Sequence, residues 1–179
     1  MKIQLIYSPE QRELMLMKRC VWVTMGKTGY PATMPTAELT HGLLEARHSP
    51  IRVLNYAWLI EGIPSNIATH LVRHVHAVPF VSSLRNDRQE RMNGDEAPRN
   101  TPVDMIFYCN AEELMTLANK RLCGKASAKT QAVVKEMCRT AVMATPEIED
   151  QLVPNCEWHG GVCHEFTSCG RCPKAQVKT

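Results

Sequence analysis

The sequence predicts an α/β (α+β) fold with a mixed sheet, longer helices and a cysteine-rich C-terminal tail. Two observations predict it: short runs of alternating β-branched and aromatic residues, and longer segments in which apolar residues recur at helical spacing. The 179 residues, 44% of them hydrophobic and 22% charged, have the size and composition of one globular domain. We therefore assign residues 1–152 to an α/β domain and residues 153–179 to a Cys/His-rich tail.

Local sequence patterns, together with the residues that begin and end them, predict the individual strands and helices. The predicted strands are residues 2–7, 20–25, 52–63 and 103–109. The predicted helices are residues 37–47, 65–76, 111–122, 127–144 and 146–152. Thr36 is a suitable N-cap for the first of these helices, and Pro64 suits the first turn of the second. Residues 79–102 are dense in charge and are predicted to form a solvated loop.

Charge and hydropathy exclude several classes of protein. The net charge of +3 is too mild for a protein that coats nucleic acid. No apolar run approaches the roughly 20 residues needed to span a bilayer. The N-terminus turns polar after six residues, which indicates no secretory signal. We expect a cytoplasmic protein whose eight cysteines are in a reducing compartment.

The helix over residues 65–76 concentrates polar chemistry on one side. At about 100° per residue, Asn66, His70, Arg73 and His74 share one arc, opposite an apolar side. The residues predicted on that apolar side are Ile67, Ala68, Leu71, Val72 and Val75. A guanidinium group stays charged and needs partners, so this face is costly to bury alone.

Two interpretations of the following segment stay open. Guanidinium groups and hydroxyls suit an anion, particularly a phosphate. The candidate donors are Arg73, Ser82, Ser83, Arg85 and Arg88. The alternative is an ion-pair network of these arginines with Asp87, Glu90 and Asp95.

The same residues resemble the signature of the flavin-dependent thymidylate synthases. That signature is Arg-His-Arg, seven residues, Ser; this chain has Arg73-His74-Val75, seven residues, then Ser83-Leu84-Arg85. His48-Ser49-Pro50 precedes the pair by a strand, in the same order as in the family. The strings SPIR, SSLRNDRQ and VPNCEWHGGVCHEF are similar to the short, phage-like branch.

The resemblance implies a homotetrameric flavoprotein with active sites shared between subunits. Its reaction would be C5 methylation of dUMP to dTMP, with FAD as cofactor and NADPH and methylenetetrahydrofolate as co-substrates. By position in the motif, the implied catalytic residues are Arg73, Ser83 and Arg85. The implied cofactor-binding residues are His48, Arg73, His74 and His76. The implied residues for the pyrimidine nucleotide monophosphate are His70, Arg73, Ser83, Arg85 and Arg121.

Three positions depart from the family pattern. Val75 replaces the third residue of Arg-His-Arg, and Phe80-Val81 occupies positions where the family commonly has Asn-Glu. These family positions help to hold the flavin, and His76 is a candidate replacement donor. The alternative hypothesis is therefore a pyrimidine nucleotide-binding relative that has lost or altered flavin chemistry, or that methylates another nucleotide.

The tail carries a separate hypothesis. Cys156, Cys163, Cys169 and Cys172 fall within 17 residues, and the last two have the C-x₂-C spacing of a zinc knuckle. A structural zinc ion is predicted there; unligated thiols, a disulfide or an iron–sulfur cluster are the alternatives. A third class, an RNA-binding module that uses the loop from Arg85 to Arg99, is disfavoured by the acidic residues within that loop.

Overall fold

A four-stranded sheet forms the centre of the computed structural model, which describes residues 1–85, 87–88 and 96–175. The strands are β1 (Lys2–Tyr7), β2 (Asn55–Pro64), β3 (Val78–Val81) and β4 (Pro102–Asn110). Their order is β1-β2-β4-β3, and all three pairings are antiparallel. The α/β (α+β) class is confirmed, and the sheet itself is antiparallel rather than mixed.

Helices fill the connections between the strands and the C-terminal half. They are α1 (Gln11–Thr24), α2 (Ala37–Glu45), α3 (Ser65–Leu71), α4 (Ala111–Arg121), α5 (Ala128–Ala144) and α6 (Asn155–Trp158). Two 3₁₀ helices span Ser49–Val53 and Pro146–Gln151. The side chains of Thr36, Asn110 and Ser127 cap α2, α4 and α5 by accepting from backbone N–H groups. No helix in the described part of the chain is both long and apolar enough to cross a membrane.

One face of the sheet packs against the helices and forms the core. Because β2 and β4 alternate sides, Tyr56, Trp58, Met105 and Phe107 point to that face and are buried. The Trp58 indole N–H donates to Thr140 Oγ1 at 2.9 Å, which ties the sheet to α5. The boundary expected after residue 152 falls between the second 3₁₀ helix and α6, and the two-part division stays a prediction.

Three local expectations were wrong, each for a non-local reason. Residues 20–25 were expected to form a strand, but they lie at the C-terminal end of α1, whose buried Met17 packs into the core. The helix expected over residues 65–76 ends at Leu71. Residues 78–81, expected in a loop, form β3 by pairing with β4. Pro79 is compatible with this strand because β3 lies at the sheet edge.

Candidate functional site

The turn after α3 directs Arg73 and His74, the two residues of the Arg-His motif, to different surroundings. The His74 N–H donates to the Leu71 carbonyl and the Ala77 N–H donates to the His74 carbonyl, both at 3.0 Å. This turn leaves the Arg73 side chain exposed and directs His74 into the protein. Beyond it, Val75 is 83% exposed rather than part of an apolar helix face.

His74 is the middle of a buried hydrogen-bond chain that links α4 to the turn. Its Nδ1 lies 2.8 Å from Glu113 Oε1, and the two side chains are 8% and 3% exposed. The Arg121 Nε–H donates to His74 Nε2 at 3.1 Å. Because a guanidinium can only donate, His74 Nε2 must accept, and the ring proton then lies on Nδ1 and is donated to Glu113. His74 is therefore a neutral imidazole with both nitrogens engaged.

The chain holds Arg121 in a fixed orientation. Arg121 also donates from Nη2 to the His70 carbonyl at 2.8 Å. Partial burial and the nearby charge of Arg73 lower the pKa of Arg121. Two guanidinium groups thus lie near each other, an arrangement that an anion would stabilise.

A cationic cavity of about 330 Å³ opens beside these two arginines, and we call it the Arg121 cavity. It is lined by Arg73, His74, Lys120, Arg121, Cys123, Lys125, Ala126 and Glu165. Four of these residues carry positive charge, and Glu165 already forms an ion pair with Lys120 at 3.1 Å. The volume lies in the range of small-ligand pockets, roughly 300–1,000 Å³.

A second cavity, of about 560 Å³, shares Arg73 with the first; we call it the Arg99 cavity. It is lined by Ser65, Asn66, Thr69, His70, Arg73 and Arg99. The Arg99 carbonyl accepts from Ser65 Oγ at 2.7 Å, which fixes this residue beside α3. His70 Nδ1 lies 2.9 Å from the buried Thr130 Oγ1, so the imidazole is held at the cavity wall. Arg73 can therefore contact a ligand in either cavity.

A third cavity, of about 570 Å³, lies on the other side of Glu113. Its lining residues are Arg47, Arg52, His76, Asn110, Glu112, Glu113 and Thr116. Arg47 has a φ of 47°, which is strained for a residue with a side chain. Its Nε is buried without a hydrogen-bond partner. His76 lines this third cavity, whereas Arg121 lines the first.

Of the other motif residues, Arg85 and His48 are exposed and Ser83 is half-buried. Arg85 forms a two-bond ion pair with Asp87, both distances being 2.9 Å, and its N–H donates to Ser83 Oγ at 3.2 Å. Neither Ser83 nor Arg85 lines the three cavities described here. His48 is exposed at the start of the Ser49–Val53 3₁₀ helix. The further ion-pair partners expected at Glu90 and Asp95 lie outside the described residues.

The cysteines of the tail form pairs rather than one group. Cys156 interacts with Cys172, and Cys123, from the loop between α4 and α5, interacts with Cys169. Cys163 is buried, and its backbone pairs with residues 173 and 175. Over the described ranges, no three His, Cys, Asp or Glu side chains are gathered in a way that could hold a metal ion. The arrangement does not fit a tetrahedral zinc site, and zinc stays a prediction of the sequence.

Backbone donors distinguish the two thiol pairs. The backbone N–H groups of Arg171 and Gly124 lower the pKa of Cys169, which is exposed. Burial, together with the hydrogen bond to Cys172, raises the pKa of Cys156.

The sequence did not indicate two residues of the site, Glu113 and Arg99. Glu113 lies 39 residues from His74 along the chain. A carboxylate in the first turn of a helix is already explained by its favourable interaction with the helix dipole, so the sequence offered no reason to expect a distant partner. Arg99 was counted with the charged loop. Glu113 lies after the cap residue Asn110 and directly before the buried residues Leu114 and Met115. This place on the apolar side of α4 was the sequence signal that could have indicated a buried carboxylate.

Comparison with known proteins identifies the fold. No protein-family model matches the chain, and no curated protein matches it in sequence. Among solved structures, thymidylate synthase X from Helicobacter pylori with FAD and dUMP has a TM-score of 0.67 at 17% identity, covering 85% of this chain and 99% of that one. A second structure of that enzyme with FAD and dUMP gives 0.67 at 16% identity, covering 87% and 99%.

A third structure extends the comparison to another activity. The UMP/dUMP methylase PolB from Streptomyces cacaoi, bound with 5-Br dUMP, has a TM-score of 0.64 at 15% identity, covering 84% of this chain and 93% of that one. The chain thus has the fold of the flavin-dependent thymidylate synthases, and the resemblance seen in the sequence is confirmed at the level of the fold.

Proposed function

We propose that this protein transfers a one-carbon unit to C5 of a pyrimidine nucleoside monophosphate, with dUMP as substrate and dTMP as product. The observation that carries the proposal is the Arg121 cavity, which both Arg73 and Arg121 line and where a buried carboxylate–imidazole pair fixes Arg121. The shared fold supports it, because the neighbouring structures contain dUMP or its 5-bromo analogue.

The two arginines have a chemical role in this reaction. A guanidinium beside a uracil carbonyl oxygen stabilises negative charge on the ring, which raises the electron density available at C5. Lys120 and Lys125 at the cavity rim balance the charge of the substrate phosphate. His74 acts through Arg121 as a positioning residue, because neither of its ring nitrogens is free for a ligand.

The residues available for FAD fit a flavin at the protein surface. Arg73, His76 and His48 are exposed donors. His74, the other residue that the resemblance implies for the cofactor, is buried with both ring nitrogens engaged and supports the site only through Arg121. Bound FAD, reduced by NADPH, would supply the hydride, and methylenetetrahydrofolate the carbon.

We further propose that four copies assemble with shared sites. Within one chain, Ser83 and Arg85 line none of the three polar cavities, although the resemblance places both at the nucleotide. A second copy that brings its Ser83 and Arg85 to the Arg121 cavity would complete the set of donors.

UMP is the second candidate substrate, since one structural neighbour is named a UMP/dUMP methylase. The second candidate function is nucleotide binding without flavin chemistry. The observation that favours it is the apolar, exposed character of Val75, Phe80 and Val81 at positions where the family holds its flavin.

Release of tritium from [5-³H]dUMP tests the proposal, since methylation at C5 must displace that hydrogen. The assay contains FAD, NADPH and methylenetetrahydrofolate, and [5-³H]UMP is run in parallel. Arg73→Ala should lose the activity. Arg139→Ala removes the same charge from the far surface of α5, where Arg139 pairs with Glu136, and should retain it. Tight dUMP binding with no FAD uptake and no tritium release would favour the second candidate function instead.

A further inference from the structure

One thiol pair lies at the wall of the Arg121 cavity. Cys123 lines that cavity, two residues after Arg121, and it interacts with Cys169 of the tail, whose sulfur lies against the neighbouring residue Gly124. The two residues are 46 positions apart in sequence, so their contact joins distant parts of the chain. The proposed methylation uses neither residue.

The backbone around Cys169 accommodates this contact. A Cβ on Gly124 would lie 3.2 Å from Cys169 Sγ, so the absence of a side chain there makes room for the sulfur. Backbone N–H groups of Gly124 and Arg171 point to the same sulfur. An accessible sulfur with backbone donors and a neighbouring thiol has what thiol–disulfide exchange requires.

The second thiol pair provides an internal contrast. Cys156 is buried and Cys172 is partly buried, whereas Cys169 is exposed and Cys123 partly buried. In each pair the two thiols interact with each other. Because Cys169 is exposed to solvent and Cys156 is buried, thiol–disulfide exchange is favoured at Cys169.

We propose that Cys169 and Cys123 are a redox modification site: they form a reversible disulfide, by exchange with a low-molecular-weight disulfide such as oxidised glutathione, that fastens the tail to the loop between α4 and α5. The Cys169 sulfur attacks one sulfur of oxidised glutathione and releases one glutathione thiol. Cys123 then attacks the mixed disulfide at Cys169 and releases the second; each protein thiol loses its proton to water, and each departing glutathione thiolate takes one up from water. Two protein thiols are oxidised and one glutathione disulfide is reduced to two thiols.

The bond would stabilise the attachment of the tail. Noncovalent contacts already hold it, including the Lys120–Glu165 ion pair and the stacking of Arg47 on Trp158, whose ring centroid lies 4.2 Å from the guanidinium. A covalent link that closes a long loop restricts the unfolded chain, so the oxidised protein should unfold at a higher temperature than the reduced one.

The test is carried out on the full chain without nucleotide or flavin, so its outcome is independent of the proposed enzymatic function. The protein is incubated with reduced or oxidised glutathione, remaining thiols are alkylated, and the cross-link is mapped by peptide mass spectrometry. The expected result is a Cys123–Cys169 link after oxidised glutathione, together with a rise in unfolding temperature. Dithiothreitol should reverse both changes.

Matched variants separate this site from general thiol oxidation. Cys123→Ser should retain one glutathione on Cys169 and lose the thermal shift, and Cys172→Ser should behave as the unmodified chain does. Three results would overturn the proposal: Cys123 and Cys169 both fully alkylated after oxidised glutathione, a link mapped first to Cys156–Cys172, or thiols that become reactive only after a chelator removes a metal ion. The mapping on the unmodified chain keeps the test decisive if a variant does not fold.

Discussion

Removal of His74 should destabilise the fold out of proportion to the size of its ring. In His74→Ala, the Glu113 carboxylate stays in a position where only 3% of its side chain is exposed, and it loses its hydrogen-bond donor at 2.8 Å. Leaving a buried acceptor without its donor costs about 1–3 kcal/mol. That is a substantial part of the roughly 5–15 kcal/mol by which a domain of ordinary stability is folded.

Urea unfolding followed by circular dichroism measures this loss, and a double-mutant cycle assigns it. Glu113→Ala in the His74→Ala background removes the orphaned carboxylate, so the double variant should be more stable than His74→Ala alone. Glu112→Ala is the control, because its carboxylate forms an exposed pair with Arg52, and exposed ion pairs contribute little to stability. A His74→Ala loss below about 1 kcal/mol, with no coupling to Glu113, would refute the reasoning.

Three further outcomes follow from contacts of single residues. Arg121→Ala should weaken dUMP binding about 10- to 150-fold in a calorimetric titration, the range for one charged hydrogen bond; an unchanged constant would remove Arg121 from the site. Asp87→Asn should release Arg85 from its exposed ion pair and strengthen dUMP binding about two- to fivefold, whereas weaker binding would mean that Asp87 itself contacts the ligand. The hydrogen bond that His41 donates to Asp150, aided by the charge of Asp150, raises the pKa of His41, so this pair stabilises the fold at acid pH and the effect is lost as the pH rises through the raised pKa. An NMR titration of Asp150→Asn should show a lower His41 pKa, and an unchanged midpoint would contradict the contact.

Local patterns predicted most of the fold. Strands β1, β2 and β4 and helices α2, α4 and α5 carry their own periodicity and caps, so their existence depends little on distant residues. The exceptions depend on tertiary contacts. The Val-Trp-Val run near residue 22 has strand character by composition, but Met17 and the core determine the helix α1. Strand β3 exists because Phe80 pairs with Ile106, a partner 26 residues away.

The sequence predicted which types of residue form the site, but not which of their side chains contact one another. The sequence placed His70, Arg73 and His74 on one helix face, which would expose all three equally. The turn after Leu71 instead exposes Arg73 and buries His74, and the reason is Glu113, a partner that helical periodicity could not reveal. The cysteine spacing likewise could not show that Cys123 from the α4–α5 loop, rather than a tail residue, contacts Cys169.

The central claim is that the Arg73–Arg121 pair forms the site of a pyrimidine nucleoside monophosphate. The most direct test is calorimetric titration of the protein with dUMP and with deoxyuridine, which lacks the phosphate, repeated with Arg73→Ala and the control Arg139→Ala. We expect dUMP to bind at least tenfold more tightly than deoxyuridine, Arg73→Ala to remove most of that difference, and Arg139→Ala to leave it unchanged. Equal affinity for the two ligands, or full dUMP affinity in Arg73→Ala, would contradict the claim.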